Sequence, residues 1–99
     1  MQYRIIYSRD CEGHLRALPA RDRVIVLTAV EEQLTREPTV ETRHRKLMRP
    51  NPLAPWELRV GELRVFYDVE ESPEPVVNIA AIGVKDHNVL RIEGKVFPL

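Results

Sequence analysis

Arg59 and Arg64 sit in the stretch Trp56 to Val69, WELRVGELRVFYDV, whose apolar and polar residues alternate strictly on either side of Gly61-Glu62. A short connection that begins with glycine suits a type II′ hairpin, which pairs Val60 with Leu63, Arg59 with Arg64, Leu58 with Val65 and Trp56 with Tyr67. Alternation then turns Trp56, Leu58, Val60, Leu63, Val65, Tyr67 and Val69 to one side, and Glu57, Arg59, Arg64, Phe66 and Asp68 to the other. Like charges directly opposite each other on a ladder repel, so the arginines need nearby acids or a bound anion. Two readings stay open: a site for a phosphate or an acidic partner, or a solvated ladder that Glu57 and Asp68 neutralise. Phe66 shares the arginine side, where it stacks on a base, receives a partner side chain or forms part of a second core.

A second set of cations lies upstream in RHRKLMR, with Arg43, Arg45, Lys46 and Arg49. Read functionally, this run contacts RNA phosphates, with Lys46 nearest the hairpin, and such contacts position a strand without specifying its sequence. Read otherwise, it is a solvated loop. His44 and His87 fall in loops and no HxH or HExxH spacing is present, so no metal site and no cofactor are expected. Cys11 recurs with Leu15 and Leu18 on one apolar stripe, which makes it a core residue rather than a nucleophile. As the one cysteine of the chain, it also excludes an intrachain disulfide and a cysteine-cluster zinc site.

The elements that must position these groups follow from length and pattern. The chain has 99 residues, 43% of them hydrophobic, which predicts one domain spanning 1–99 with a modest core. No apolar run approaches the ~20 residues of a membrane helix, and the start MQYRIIYSRD has no signal-peptide pattern, so the expectation is a cytoplasmic protein. Basic and acidic residues balance at 15 each, so overall charge does not argue for nucleic acid; the basic patch is local, at residues 43–64.

Gln2 to Ser8 reads as a strand inside the sheet. Ser8 or Asp10 can cap a short helix carrying Cys11, Leu15 and Leu18. Pro19 suits the first turn of a second helix running to about Arg36, with Val24, Leu27, Val30 and Leu34 as its buried face, widened by Ile25 and Val26. The proline-rich segment 37–55 is a long loop, with a few strand residues at Arg45 to Met48. Val76 to Val84, almost wholly apolar, predicts a central strand buried on both faces. Residues 85–88 form a turn, and VLRI and KVFPL flank Glu93-Gly94 as a small terminal hairpin. The fold class expected is α+β: two N-terminal helices on one face of a mainly antiparallel sheet, β-α-α-β-β-β plus a C-terminal β-hairpin, with the opposite face partly open.

This order and the hairpin residues resemble the RelE/ParE superfamily of toxins from bacterial toxin–antitoxin pairs. The resemblance rests on YRIIYS followed by spaced leucines and Leu18-Pro19, a helix ending at Glu37-Pro38, Lys46-Leu47, the Trp56 to Tyr67 motif, and Ile79 to Lys85. It covers residues 2 to about 86. It implies a compact toxin neutralised by a cognate antitoxin. In the RelE branch it implies metal-independent, ribosome-dependent cleavage of mRNA, with the RNA 2′-hydroxyl as nucleophile. Arg64 then matches the family's hairpin arginine and is expected on the scissile phosphate, Arg59 assists, and Lys85 falls near a contributing basic stretch. Glu57 stands where a second catalytic base is expected in the most active members, and the late Arg and Tyr of those members have no clear match; His87, with an unperturbed pKa near ~6.5, is the substitute proton carrier. The alternative is a non-catalytic member, either a ParE-like inhibitor of a DNA topoisomerase or a detoxified antitoxin-binding protein. In either case acidic or amphipathic segments of the antitoxin are expected to cover the hairpin face and part of the helical layer, masking Arg59 and Arg64.

Overall fold

The computed structural model describes residues 2–99. The elements run β1 (Arg4–Tyr7), α1 (Cys11–Arg16), α2 (Ala20–Leu34), β2 (Arg45–Leu47), β3 (Trp56–Val60), β4 (Leu63–Glu70), β5 (Val76–Asp86), β6 (Val89–Ile92) and β7 (Lys95–Val96). One seven-stranded sheet has the order β2-β3-β4-β5-β6-β7, with β1 paired in parallel to β5 and every other pairing antiparallel. This is the α+β architecture expected. No helix among the described residues is long and apolar enough to cross a membrane.

The β3–β4 hairpin has the predicted register, including Arg59 opposite Arg64 and Trp56 opposite Tyr67. Gly61 takes φ 59° while Glu62 stays out of the positive range, the combination a II′ turn requires. On the predicted apolar side, Leu58, Leu63, Val65 and Tyr67 are buried against Val26, Val30 and Leu34 of α2 and Val77, Ile79 and Ile82 of β5. The Trp56 and Tyr67 rings stack with centroids 6.1 Å apart. Tyr67 is wholly buried, and its hydroxyl donates to the Pro38 carbonyl at 2.6 Å, which closes the end of the long loop onto the core.

Helix α2 buries a face different from the one expected. Val26, Val30 and Leu34 point inward at four-residue spacing, whereas Val24 is 65% exposed and Leu27 also faces solvent. Four consecutive apolar residues, Val24 to Leu27, surround the helix, so periodicity alone does not choose among its faces; packing on the sheet does. Strand β1 likewise differs, lying at an edge and pairing with β5 alone. Strand β5 has eleven residues, and two short strands share that side of it: β1 meets Val76 to Ile79 and β6 meets Val84 to Asp86.

Between those two partners β5 is irregular. Phe66 pairs with Ala81 but the adjacent Tyr67 pairs with Ile79, so Ala80 is an extra, bulged residue. The bulge resets the alternation, and Ala80 and Ala81 both face away from the helices while Ile79 and Ile82 both face them. Backbone groups in this gap are satisfied from the β1–α1 junction. Ser8 Oγ donates to the Ala80 carbonyl at 3.0 Å, Cys11 Sγ to that of Ile79 at 3.4 Å, and the Ile82 amide donates to His14 Nδ1 at 3.2 Å. Gly83 follows because a Cβ there would lie 2.5 Å from the Arg91 carbonyl of β6.

The second face of the sheet is covered rather than open. Phe66, Ala54, Ala81 and Leu90 form a smaller core, with Met48, Leu53, Ile92 and Phe97 packed around it. Phe66 is therefore not an exposed stacking platform: it is fully buried, because the 48–55 loop and the terminal hairpin close over it. The hairpin itself forms as expected, with Glu93 and Gly94 both at positive φ, although β5 continues through Asp86 so that His87 and Asn88 alone make the preceding turn.

Tyr67→Phe leaves the buried Pro38 carbonyl without its donor, and should lower unfolding free energy by about 1–2 kcal/mol in urea denaturation with the fold retained.

Candidate functional site

Glu57, Arg59 and Arg64 form an ion cluster on the second face of the hairpin. Glu57 is one residue out of phase with the main core, and its side chain is only 2% exposed. Its Oε1 accepts a hydrogen bond from Arg59 Nε at 2.6 Å, and its Oε2 lies 3.9 Å from Arg64 Nε. The second distance is beyond hydrogen-bond reach, and Arg64 Nε is buried without an acceptor. Arg64 instead uses Nη1 to donate to the carbonyls of Gly61 (2.7 Å) and Leu63 (2.9 Å), gripping its own turn. Burial pulls the Arg64 pKa downward, and the Glu57 carboxylate opposes that shift. Of the two expected neutralising acids, only Glu57 takes part; Asp68 accepts from the Val69 amide at 2.8 Å.

A cleft of about 390 Å³ opens beside this cluster, and Lys46, Arg49, Arg59 and Lys85 line it together with Glu57. Each cation arrives from a different segment. Lys46 is the middle residue of β2, directly opposite Glu57 on β3. Lys85 stands near the end of β5, where its amide donates to the Glu62 carbonyl at 2.8 Å and ties the strand to the hairpin turn. Arg49 is set by Asn51, whose Oδ1 accepts from the amides of Leu53 (2.8 Å) and Ala54 (3.2 Å) while Nδ2 donates to the carbonyls of Arg49 (2.7 Å) and Ala54 (3.0 Å). Four cations around one carboxylate leave a local positive surplus in a chain of zero net charge. Such a cleft suits an anion with several oxygens, to which ammonium and guanidinium groups donate from more than one side.

The remaining candidates separate. Arg64 flanks the ion cluster but is not among the residues lining the cleft. Arg43 is exposed and lies off the cleft. Arg45 is buried, with Nε donating to the Val40 carbonyl (2.8 Å) and Nη1 to the Gln33 carbonyl and Oε1 (3.0 and 2.8 Å), so its guanidinium braces the loop against α2 and is not offered to RNA. His87 projects from its turn with a side chain 93% exposed, 2.8 Å from Asp86 Oδ1 and outside the cleft. His44 turns its Nδ1 to the Arg59 carbonyl at 3.3 Å. Among the described residues, no group of three His, Cys, Asp or Glu side chains is arranged to hold a metal ion.

Two features escaped sequence reasoning. Glu57 is part of the cleft, a fact that depends on the β2 register against β3, and three strand residues in a proline-rich loop give no periodic signal for it. The apolar side chains that also line the cleft, Met48, Pro50 and Leu99, come from residues far apart in the chain. On the other side of Arg59 a separate groove of about 410 Å³ runs between α2 and β3, lined by Val24, Ile25, Ala29 and Val60. Arg59 lines both.

Cys11 is the core residue expected. It is fully buried, and burial raises its thiol pKa, with hydrogen bonds from Ser8 opposing. A neutral thiol is a poor nucleophile, so Cys11 should resist an aromatic disulfide reagent at pH 8 in the native protein and react within seconds once denatured. Glu57→Ala should destabilise the protein by about 2–4 kcal/mol in chemical denaturation, because it strands the mostly buried Arg64; adding Arg64→Met should recover part of that loss.

Neither a protein-family model nor a curated protein sequence matches the chain. Among solved structures it matches a chain in the RelBE2 toxin–antitoxin complex of Mycobacterium tuberculosis with a TM-score of 0.67, at 22% identity, over 83% of this chain and 96% of that one. The sheet and its two-helix layer are thus a fold that a protein of a toxin–antitoxin complex also has, as the resemblance of the hairpin motif implies.

Proposed function

We propose that this chain is the toxin of a toxin–antitoxin pair and that it inhibits translation by cutting mRNA in the RelE manner. The observation that carries the reading is the convergence of Lys46, Arg49, Arg59 and Lys85 on one cleft with Glu57 in its wall. In this reading an RNA phosphate occupies the cleft, and the lysines and Arg59 stabilise the charge that develops when the neighbouring 2′-hydroxyl attacks it. Glu57 is the carboxylate at hand to accept the hydroxyl proton as the 2′-oxygen bonds to phosphorus. The bond from phosphorus to the next nucleotide's 5′-oxygen breaks, leaving a 2′,3′-cyclic phosphate, and the departing oxygen takes a proton from a lysine of the cleft or from water. The surrounding cations offset the repulsion between Glu57 and the phosphate. Arg64 acts by holding the hairpin turn and the far side of Glu57, so it is a positioning residue. His87 has no place in the reaction as the cleft is built.

The cognate antitoxin is the proposed partner. Its amphipathic segment lies in the groove between α2 and β3, where Val24, Ile25 and Val60 offer apolar contact, and an acidic side chain of the same segment reaches Arg59. One feature favours a competing reading: Glu57 already neutralises Arg59, as it would in a superfamily member that binds its antitoxin or a topoisomerase without cutting RNA.

Induced expression in a bacterial host should arrest growth, and mapping of mRNA ends in a translation extract should show new cuts. Lys85→Ala and Glu57→Gln should each reduce cleavage by about a hundredfold. Intact mRNA with inhibited supercoiling by gyrase would replace this reading with the topoisomerase one. Unaffected growth and translation would overturn toxicity altogether.

A further inference from the structure

The proposed RNA cleft has an apolar wall that phosphate binding does not use. Met48, Pro50 and Leu99 line it together with the four cations, while Leu47, paired with Trp56, turns to the other face of the sheet. Leu99 remains 53% exposed, so apolar surface stands in water next to concentrated positive charge. Leu99 is not there by accident of a loose tail. Two residues earlier the Phe97 amide donates to the Leu90 carbonyl at 2.8 Å, and the Phe97 ring packs against the second core. Leu99 follows the terminal hairpin, beyond residues 2 to about 86 that carry the resemblance to RelE-like proteins, whereas Met48 and Pro50 come from the loop after β2.

A ligand matching both halves joins an anionic group to a flat apolar face, and a cleft of about 390 Å³ has the dimensions of a single nucleotide unit. The uncharged amide lining the cleft belongs to Asn51, and its oxygen and nitrogen are both committed to the 49–54 backbone. It has no free edge with which to read a base, so the base is held by its face. We propose that Leu99, together with Met48, forms the packing wall for one unstacked nucleobase of single-stranded RNA, beside the phosphate held by Lys46 and Lys85. The proposal rests on the RNA-cleaving reading and adds a subsite to it: the enzyme grips one splayed base and the adjoining phosphate, and is indifferent to duplex RNA, whose bases are stacked away.

The test is an NMR titration of the full chain with a 2′-O-methyl trinucleotide, which cannot be cut, and with the same molecule lacking its central base. The wild type should bind the complete trinucleotide about five- to tenfold more tightly than the abasic one. Leu99→Ser should bring that ratio close to one while abasic binding holds, and Leu99→Phe should keep or raise it. Lys46→Ala should weaken both ligands equally. A base-dependent ratio that survives in Leu99→Ser, or a wild-type ratio of one, overturns the wall while leaving phosphate binding in place. Failure of the wild type to bind either ligand overturns this proposal, whereas the RNA-cleaving reading beneath it fails separately, if no new mRNA ends appear in the translation extract.

Discussion

Strand β5 cannot leave its backbone groups unpaired in the middle of the molecule, and most of the architecture answers that requirement. It pairs with β4 along one side, while on the other it meets β1 and then β6, which do not join end to end. The bulge at Ala80 falls in the resulting gap, and Ser8, Cys11 and His14 supply the hydrogen bonds that a continuous neighbouring strand would have made. Because His14 Nδ1 must accept from the Ile82 amide, its proton resides on Nε2, which is 3.6 Å from Glu93 Oε1 in the turn of the terminal hairpin. Short helix α1 is thereby tied both to the central strand and to the last element of the chain.

The same strand sets the geometry of the cleft. Its first half is locked into the core by Val77 and Ile79, and its last residues run past that core to deliver Lys85 beside the β3–β4 turn. Since β4 is registered on β5, β3 on β4 and β2 on β3, the cations on β2, β3 and β5 are fixed by backbone pairing rather than by flexible side-chain contacts. Glu57 is what allows such a cluster to fold in the absence of an anion. A buried carboxylate bonded to Arg59 and facing Arg64 limits the repulsion that a cross-strand arginine pair would otherwise produce.

The hairpin was readable because strict alternation and a Gly-X turn determine register, and with it the Arg59–Arg64 pair. The central strand was readable from its apolar run, though the bulge inside it was not: Ile79-Ala80-Ala81-Ile82 is apolar throughout and carries no phase. For α2 the same lack of contrast concealed which face is buried. From sequence alone, Arg45 groups with the RNA-facing run and Phe66 stays open between partner contact and a second core, for a shared reason. Each lies beneath a segment of irregular backbone, Val40 to Thr42 in one case and the 48–55 loop with the terminal hairpin in the other, and no local pattern announces that a loop will fold over a given residue. Lys46 is a candidate from the basic run and Lys85 from the resemblance, but their meeting in one cleft depends on strand order, which a single sequence specifies only through tertiary packing.

Arg59, set between two concavities, has a consequence for how such a protein can change over time. On the proposed reading, one guanidinium serves the substrate on one side and the inhibitor on the other, so the two ligands compete for it even though most of their contacts are on separate surfaces. A variant that loses this side chain to escape its inhibitor also forfeits part of its grip on RNA. Escape must therefore come from the α2 side of the groove, where Val24 and Ile25 are free to drift, and the inhibitor's sequence should track those positions more closely than it tracks the cleft.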